Sequence, residues 1–97
     1  MYSVTDKLGN ALTVRAFHVG EYLREEIEER GLLKKSVAEK VGVLPTHLSE
    51  ILNGKRNISV KMAVKLEEVL DGIPADYWLS LQMQYEIQET KQALVSA

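Results

Sequence analysis

The chain has 97 residues, 45% of them hydrophobic, with a formal net charge of -2 at pH 7. This length and apolar content suit a single domain with its own core and exclude two domains. The absence of cysteine excludes disulfides, thiolate metal sites and cysteine nucleophiles. Without a leader-like segment or an apolar run of roughly 18 residues, we expect a cytoplasmic protein.

The first 17 residues differ in pattern from the rest of the chain. Their apolar residues alternate with polar ones around Gly9 and Asn10, which is typical of a small β-hairpin. Because an isolated two-stranded hairpin is marginal in water, three outcomes are open: packing on the domain, pairing with another chain, or partial disorder. We therefore treat residues 1–17 as an N-terminal extension.

Residues 18–90 are predicted to form an all-α domain of five helices. Four segments with helical apolar spacing are each followed by a glycine at a position typical of a helix C-cap. These glycines are Gly31, Gly42, Gly54 and Gly72. Pro74 opens a fifth helix that we expect to end near residue 90, which leaves residues 91–97 as a C-terminal tail.

The segment at residues 32–57 contains two short helices that meet at Gly42. Each helix has its apolar residues on one face, which predicts a helix-turn-helix. The second helix presents its polar face outward, so the expected partner is double-stranded DNA. The base-facing candidates are Pro45, Thr46, His47, Ser49 and Glu50.

Basic and amide side chains lie on both sides of this second helix. Residues 33–58 carry a net positive charge while the rest of the chain is net negative. We therefore expect DNA contact on one face only, with phosphate contacts that fix the register without reading sequence. The phosphate-contact candidates are Lys34, Lys35, Ser36, Asn53, Lys55, Arg56 and Asn57.

Four large side chains recur at three- and four-residue steps along the fifth helix: Tyr77, Trp78, Leu81 and Tyr85. In a chain this small they either close the core over the first and fourth helices or form a dimer face. We predict a mixture of the two roles.

Taken together, these motifs resemble the phage-repressor (xenobiotic-response-element) type of helix-turn-helix, and beyond it the HigA-type (VapI-type) addiction-module antitoxins. The resemblance covers about residues 18–88. It rests on the opening HVGEYLREE at 18–26, the LSEILNGKRNIS segment at 48–59, AVKLE at 63–67 and YWLSLQMQY at 77–85. The sequence differs from that pattern at Leu33 and Leu44, where serine or threonine often caps the motif helices, so we expect those caps to be made otherwise.

This resemblance implies a homodimeric antitoxin of a type II toxin–antitoxin module. Such a protein represses its own operon through an inverted-repeat operator and neutralises a HigB-type (RelE-like) mRNA endoribonuclease toxin. A free-standing helix-turn-helix repressor with no toxin partner would share every DNA-binding residue and remains an alternative. The two histidines are far apart and no paired carboxylates mark a site, so we predict no enzymatic activity, cofactor, metal or small-molecule substrate.

Overall fold

The computed structural model describes residues 4–5, 11–12 and 16–96, and within residues 16–96 it contains five helices. They are α1 (Val19–Glu29), α2 (Lys34–Val41), α3 (Pro45–Leu52), α4 (Val60–Val69) and α5 (Ala75–Ser96). The predicted all-α, five-helix architecture is confirmed. None of these helices combines the length and apolar character needed to cross a membrane.

The predicted end of the fifth helix near residue 90 is wrong, because α5 continues to Ser96. Residues 91–96 therefore extend the helix and do not form a separate tail. The sequence explains this, since neither glycine nor proline follows Pro74 and no local signal stops the helix.

Two short strands, β1 (Val4–Thr5) and β2 (Ala11–Leu12), pair antiparallel, with Val4 opposite Leu12. This is the pairing that the predicted hairpin requires. The predicted turn at Gly9 and Asn10 lies outside the described residues.

The core lies between α1 and the helix-turn-helix on one side and α4 and α5 on the other. Trp78 of α5 is completely buried and closes the core where α5 packs on α4 and α1. The apolar residues that share this core are Val19, Leu23, Ile27, Val37, Ala38, Val41, Leu48, Ile51, Leu52, Ile58, Met62, Ala63, Leu66, Leu70 and Trp78.

The helix starts are of two kinds. His18 caps α1 by accepting a hydrogen bond from the Gly20 amide, and Ser59 caps α4 by accepting one from the Met62 amide. The residues before α2 and α3 are Leu33 and Leu44, and neither side chain makes a capping bond. The motif helices therefore begin without the side-chain caps that stabilise α1 and α4.

Gly42 ends α2 as predicted. Its φ of 76° lies in the left-handed region, where other residues are strained. Its amide bonds back to the carbonyl of Glu39, which closes the end of α2 and turns the chain toward α3.

A close backbone contact between helices lies at Gly20, where α1 packs on α3. A Cβ atom at this position would overlap the backbone carbonyl of Ile51. Since backbone cannot move aside as a flexible side chain can, only glycine permits this approach of α1 to α3.

Replacement of Gly20 by alanine should lower the free energy of unfolding by about 1–3 kcal/mol, because the overlap with Ile51 outweighs the better helix propensity of alanine. Chemical denaturation measures the change. The control is Glu21→Ala at the next, exposed position, which should stay within about 0.5 kcal/mol of the parent. Equal stability of the two variants would disprove the close packing.

Candidate nucleic-acid interface

The exposed face of α3 carries the predicted base-facing residues. Leu48, Ile51 and Leu52 point into the core. On the other face Pro45, Thr46, Ser49 and Glu50 are exposed and His47 is half-buried. The helix therefore presents its polar side outward as expected, while contact with bases stays a prediction.

The first turn of α2, the helix before α3, carries further exposed positive charge. Lys34, Lys35 and Ser36 are all exposed, and neither α2 nor α3 has an acidic residue in its first turn. Among residues 16–96, neither Lys34 nor Lys35 pairs with an acidic side chain. Both ammonium groups are free to meet an anion.

The loop after α3, residues 53–57, is held at its start by α1. The Arg24 guanidinium donates hydrogen bonds to the Leu52 carbonyl at 3.0 Å and to Asn53 Oδ1 at 2.9 Å. Arg24 lies one helical turn after Gly20, on the same side of α1. The close approach at Gly20 thus brings Arg24 within reach of the loop.

The end of the loop is held by α5. Gln82 accepts a hydrogen bond from the Ile58 amide at 2.7 Å and donates one to the Ile58 carbonyl at 2.9 Å. One side chain therefore satisfies both backbone groups of Ile58, a residue that is only 4% exposed. This pairing fixes the backbone where the loop meets α4.

His18 connects α1, the loop and α5. Its Nδ1 accepts from the Gly20 amide at 2.9 Å, so a neutral ring carries its proton on Nε2. Nε2 lies 3.1 Å from Asn57 Oδ1 and donates to it, and the Asn57 amide donates to Glu86 Oε1 at 2.5 Å. The imidazole also meets the Tyr85 ring edge-on, with the centroids 5.3 Å apart.

Glu50 and Arg56 form an ion pair across the outer face. Arg56 Nε and Nη2 lie 2.9 and 2.8 Å from Glu50 Oε1, and both side chains are about half exposed. An exposed pair of this kind adds little stability. Its effect is to orient the guanidinium and to offset the negative charge of Glu50 on the exposed face of α3.

The predicted phosphate set therefore divides in two. Lys34, Lys35, Ser36 and Lys55 are exposed and unengaged by other described side chains. Asn53, Arg56 and Asn57 are exposed but bonded within the molecule. The carboxamide of Asn57 is used at both its oxygen and its nitrogen, which suits it to shaping the loop.

Sequence reasoning missed the residues that hold the loop. Gln82 and Glu86 lie one and two turns after Trp78, on the side of α5 that faces the domain. That helical spacing was a signal available in the sequence. Arg24 offered a weaker one, through its place one turn after Gly20.

The predicted dimer-or-core residues also divide. Trp78 is buried, Leu81 packs against the core and Tyr85 contacts His18, whereas Tyr77 is 50% exposed. The opposite side of α5 carries a different set of exposed apolar residues. We call this set the α5 stripe, and it consists of Met83, Ile87 and Leu94.

Comparison with known proteins agrees with this architecture. A family model described as Helix-turn-helix matches residues 23–78. Virulence-associated protein A' of Dichelobacter nodosus is 35% identical over 72 residues, which cover 74% of this chain and 63% of that protein. The chain thus spans less than two thirds of that relative.

Two further relatives are named as antitoxins. Antitoxin HigA-1 of Vibrio cholerae is 32% identical over 78 residues, covering 79% of this chain and 72% of that protein. The solved structure of Pseudomonas aeruginosa antitoxin HigA with the higBA promoter is 30% identical, with a TM-score of 0.74 over 81% of this chain and 86% of that one. None of these three relatives is named as an enzyme.

The five helices and the exposed face of α3 define a helix-turn-helix protein. More narrowly, the chain belongs to the helix-turn-helix family of HigA-type (VapI-type) addiction-module antitoxins.

Replacement of Gln82 by methionine should loosen the loop, because the buried backbone groups of Ile58 would lose their partners. We expect a loss of about 1–3 kcal/mol in unfolding free energy and faster amide exchange at Ile58. Gln92→Met, at an exposed position of the same helix, is the matched control and should change neither quantity. Unchanged exchange at Ile58 in Gln82→Met would contradict the assigned bonds.

Proposed function

We propose that this chain is a DNA-binding antitoxin of a type II toxin–antitoxin module. It represses its own operon as a homodimer and neutralises a HigB/RelE-like mRNA endoribonuclease in the cytoplasm. The observation that best supports DNA binding is the exposed outer face of the helix-turn-helix. There the polar side of α3 is exposed, and so are Lys34 and Lys35 in the helix before it and Lys55 in the loop after it.

The exposed side chains of α3 can contact bases but should discriminate only weakly between them. Thr46 can donate or accept a hydrogen bond and offers a methyl group, and His47 can donate to guanine or phosphate. The carboxylate of Glu50 is already paired with Arg56, so we expect a hydrogen bond from cytosine to Glu50 to contribute little. Phosphate contacts and dimer geometry therefore supply much of the affinity.

A homodimer is supported by the α5 stripe. Met83, Ile87 and Leu94 are 59%, 46% and 73% exposed, and they follow one another at helical spacing on the side of α5 away from Trp78. The last turns of α5 extend beyond the core, and a helix end of this kind is marginal in water without a partner. A second copy packed on the stripe would set two recognition helices about 34 Å apart, one turn of DNA.

Operator affinity should fall with salt with a log–log slope near -5, on the basis of about six neutralised phosphates per dimer. Lys55→Ala should reduce the magnitude of that slope by about 2, because each dimer loses two phosphate contacts. Fluorescence anisotropy at several salt concentrations measures both values. Lys91→Ala, near the far end of α5, is the control and should keep the parent slope. A parent slope near zero would overturn the phosphate assignment.

Placing a charge on the α5 stripe should separate the protomers. Ile87→Glu is expected to remain folded, to sediment as a monomer and to bind the operator at least about 100-fold more weakly, because two half-site contacts no longer act together. The control Gln92→Glu puts the same charge elsewhere on α5 and should remain dimeric. A dimeric Ile87→Glu protein would place the interface on another surface.

The proposal that this chain neutralises a toxin rests on the family to which it belongs and on the relatives that are named as antitoxins. Co-expression with the adjacent reading frame tests it directly. We expect a small basic protein to co-purify, to stop growth when expressed alone and to be tolerated when this chain is present. If operator binding is strong but the adjacent product neither binds nor inhibits growth, the chain is a free-standing repressor.

A further inference from the structure

Leu33 and Leu44 are both 71% exposed, although they immediately precede the two helices of the motif. Scattered exposed leucines are ordinary on protein surfaces. These two are unusual in position, because each occupies an N-cap, where serine, threonine, asparagine or aspartate stabilises a helix.

The same chain uses capping side chains elsewhere. His18 caps α1 and Ser59 caps α4, and both make the expected hydrogen bond. Leu33 and Leu44 provide no side-chain cap, and each leucine is left 71% exposed, so burial in the domain offsets little of that loss. The gain must come from a surface outside the domain.

The surroundings of the two leucines indicate what that surface is. Lys34 and Lys35 follow Leu33, and neither motif helix has an acidic residue in its first turn. Leu44 precedes Pro45 and Thr46 at the end of α3 that points into the major groove in a helix-turn-helix complex. Because cationic and hydroxyl side chains surround these leucines, DNA is a better-matched partner for them than an apolar protein surface would be.

The thymine C5-methyl is the apolar group that the major groove presents to such a side chain. We propose that Leu44 is a specificity-determining residue that packs on a thymine methyl in each operator half-site. This inference rests on the proposed DNA-binding function. Leu33 sits beside the phosphate-facing lysines, so its contact is with the sugar–phosphate backbone and carries no sequence preference.

The test uses the full chain and the duplex that it protects in the DNA upstream of its own gene. Each thymine pair related by the operator symmetry is replaced in turn by deoxyuridine, which removes only the methyl group. One such replacement should weaken binding by the parent protein about fourfold per half-site, the value expected for one buried methyl.

Leu44→Ser should bind the unmodified operator more weakly and lose its sensitivity to that same replacement. Because serine restores the cap, the variant should also melt about 4 °C higher than the parent, so weaker binding cannot be ascribed to unfolding. Leu44→Ala removes the leucine contacts without adding a cap hydroxyl and should lose the same sensitivity.

Two other variants serve as controls. Leu33→Ser should weaken binding but retain the sensitivity to deoxyuridine, and Val64→Ser, at a half-exposed position of α4, should leave binding unchanged. A parent protein insensitive to every replacement, or a Leu44→Ser protein that keeps the sensitivity, overturns the inference. Failure to bind any upstream DNA overturns the proposed function, and this inference with it.

Discussion

The arrangement of this protein depends on the contact between Gly20 of α1 and the Ile51 carbonyl of α3. Backbone packs on backbone there, which brings α1 closer to α3 than any larger residue would allow. This close approach positions the side chains on either side of Gly20 against the loop after α3. His18, which caps α1 just before the contact, bonds to Asn57, and Arg24, one turn after it, bonds to Asn53. The N-terminal part of α1 thus contacts both ends of the loop, and α5 also holds the second end.

The loop is also the point where the outer face of the motif meets α5. Gln82 holds the Ile58 backbone and Glu86 accepts from Asn57, while Met83 and Ile87, interleaved with them in sequence, point away from the domain. One helix therefore joins the proposed dimer surface to the proposed DNA surface over two turns. In the proposed dimer, α5 would therefore set both the spacing of the two α3 helices and the shape of the loop that follows each of them.

The features that can be predicted from the sequence are those that neighbouring residues determine. Gly42 marks the turn, apolar spacing separates the two faces of α3, and Lys34 and Lys35 begin α2, so the motif and its exposed residues followed directly. The end of α5 did not follow, because its last residues carry no stop signal and were mistaken for a frayed tail.

Contacts between side chains that are far apart in sequence could not be predicted from local patterns. Whether Leu81 and Tyr85 face the core depends on the rotation of α5, which is fixed when Trp78 enters the core from another part of the chain. Likewise, the position of Asn57 beside the second motif helix predicts a phosphate contact, but nothing local indicates the side-chain partners that tertiary packing supplies. Here His18 and Glu86 supply them across 39 and 29 residues of sequence.

The most direct test of the assigned DNA-binding face is amide hydrogen exchange across the full chain, measured with and without the upstream operator duplex. We expect protection in residues 33–36 and 45–57, which form the first turn of α2, the helix α3 and the loop. The exposed side of α4 should be unaffected. Protection confined to α4, or operator binding that leaves residues 45–57 unchanged, would contradict the assignment of the DNA-binding face.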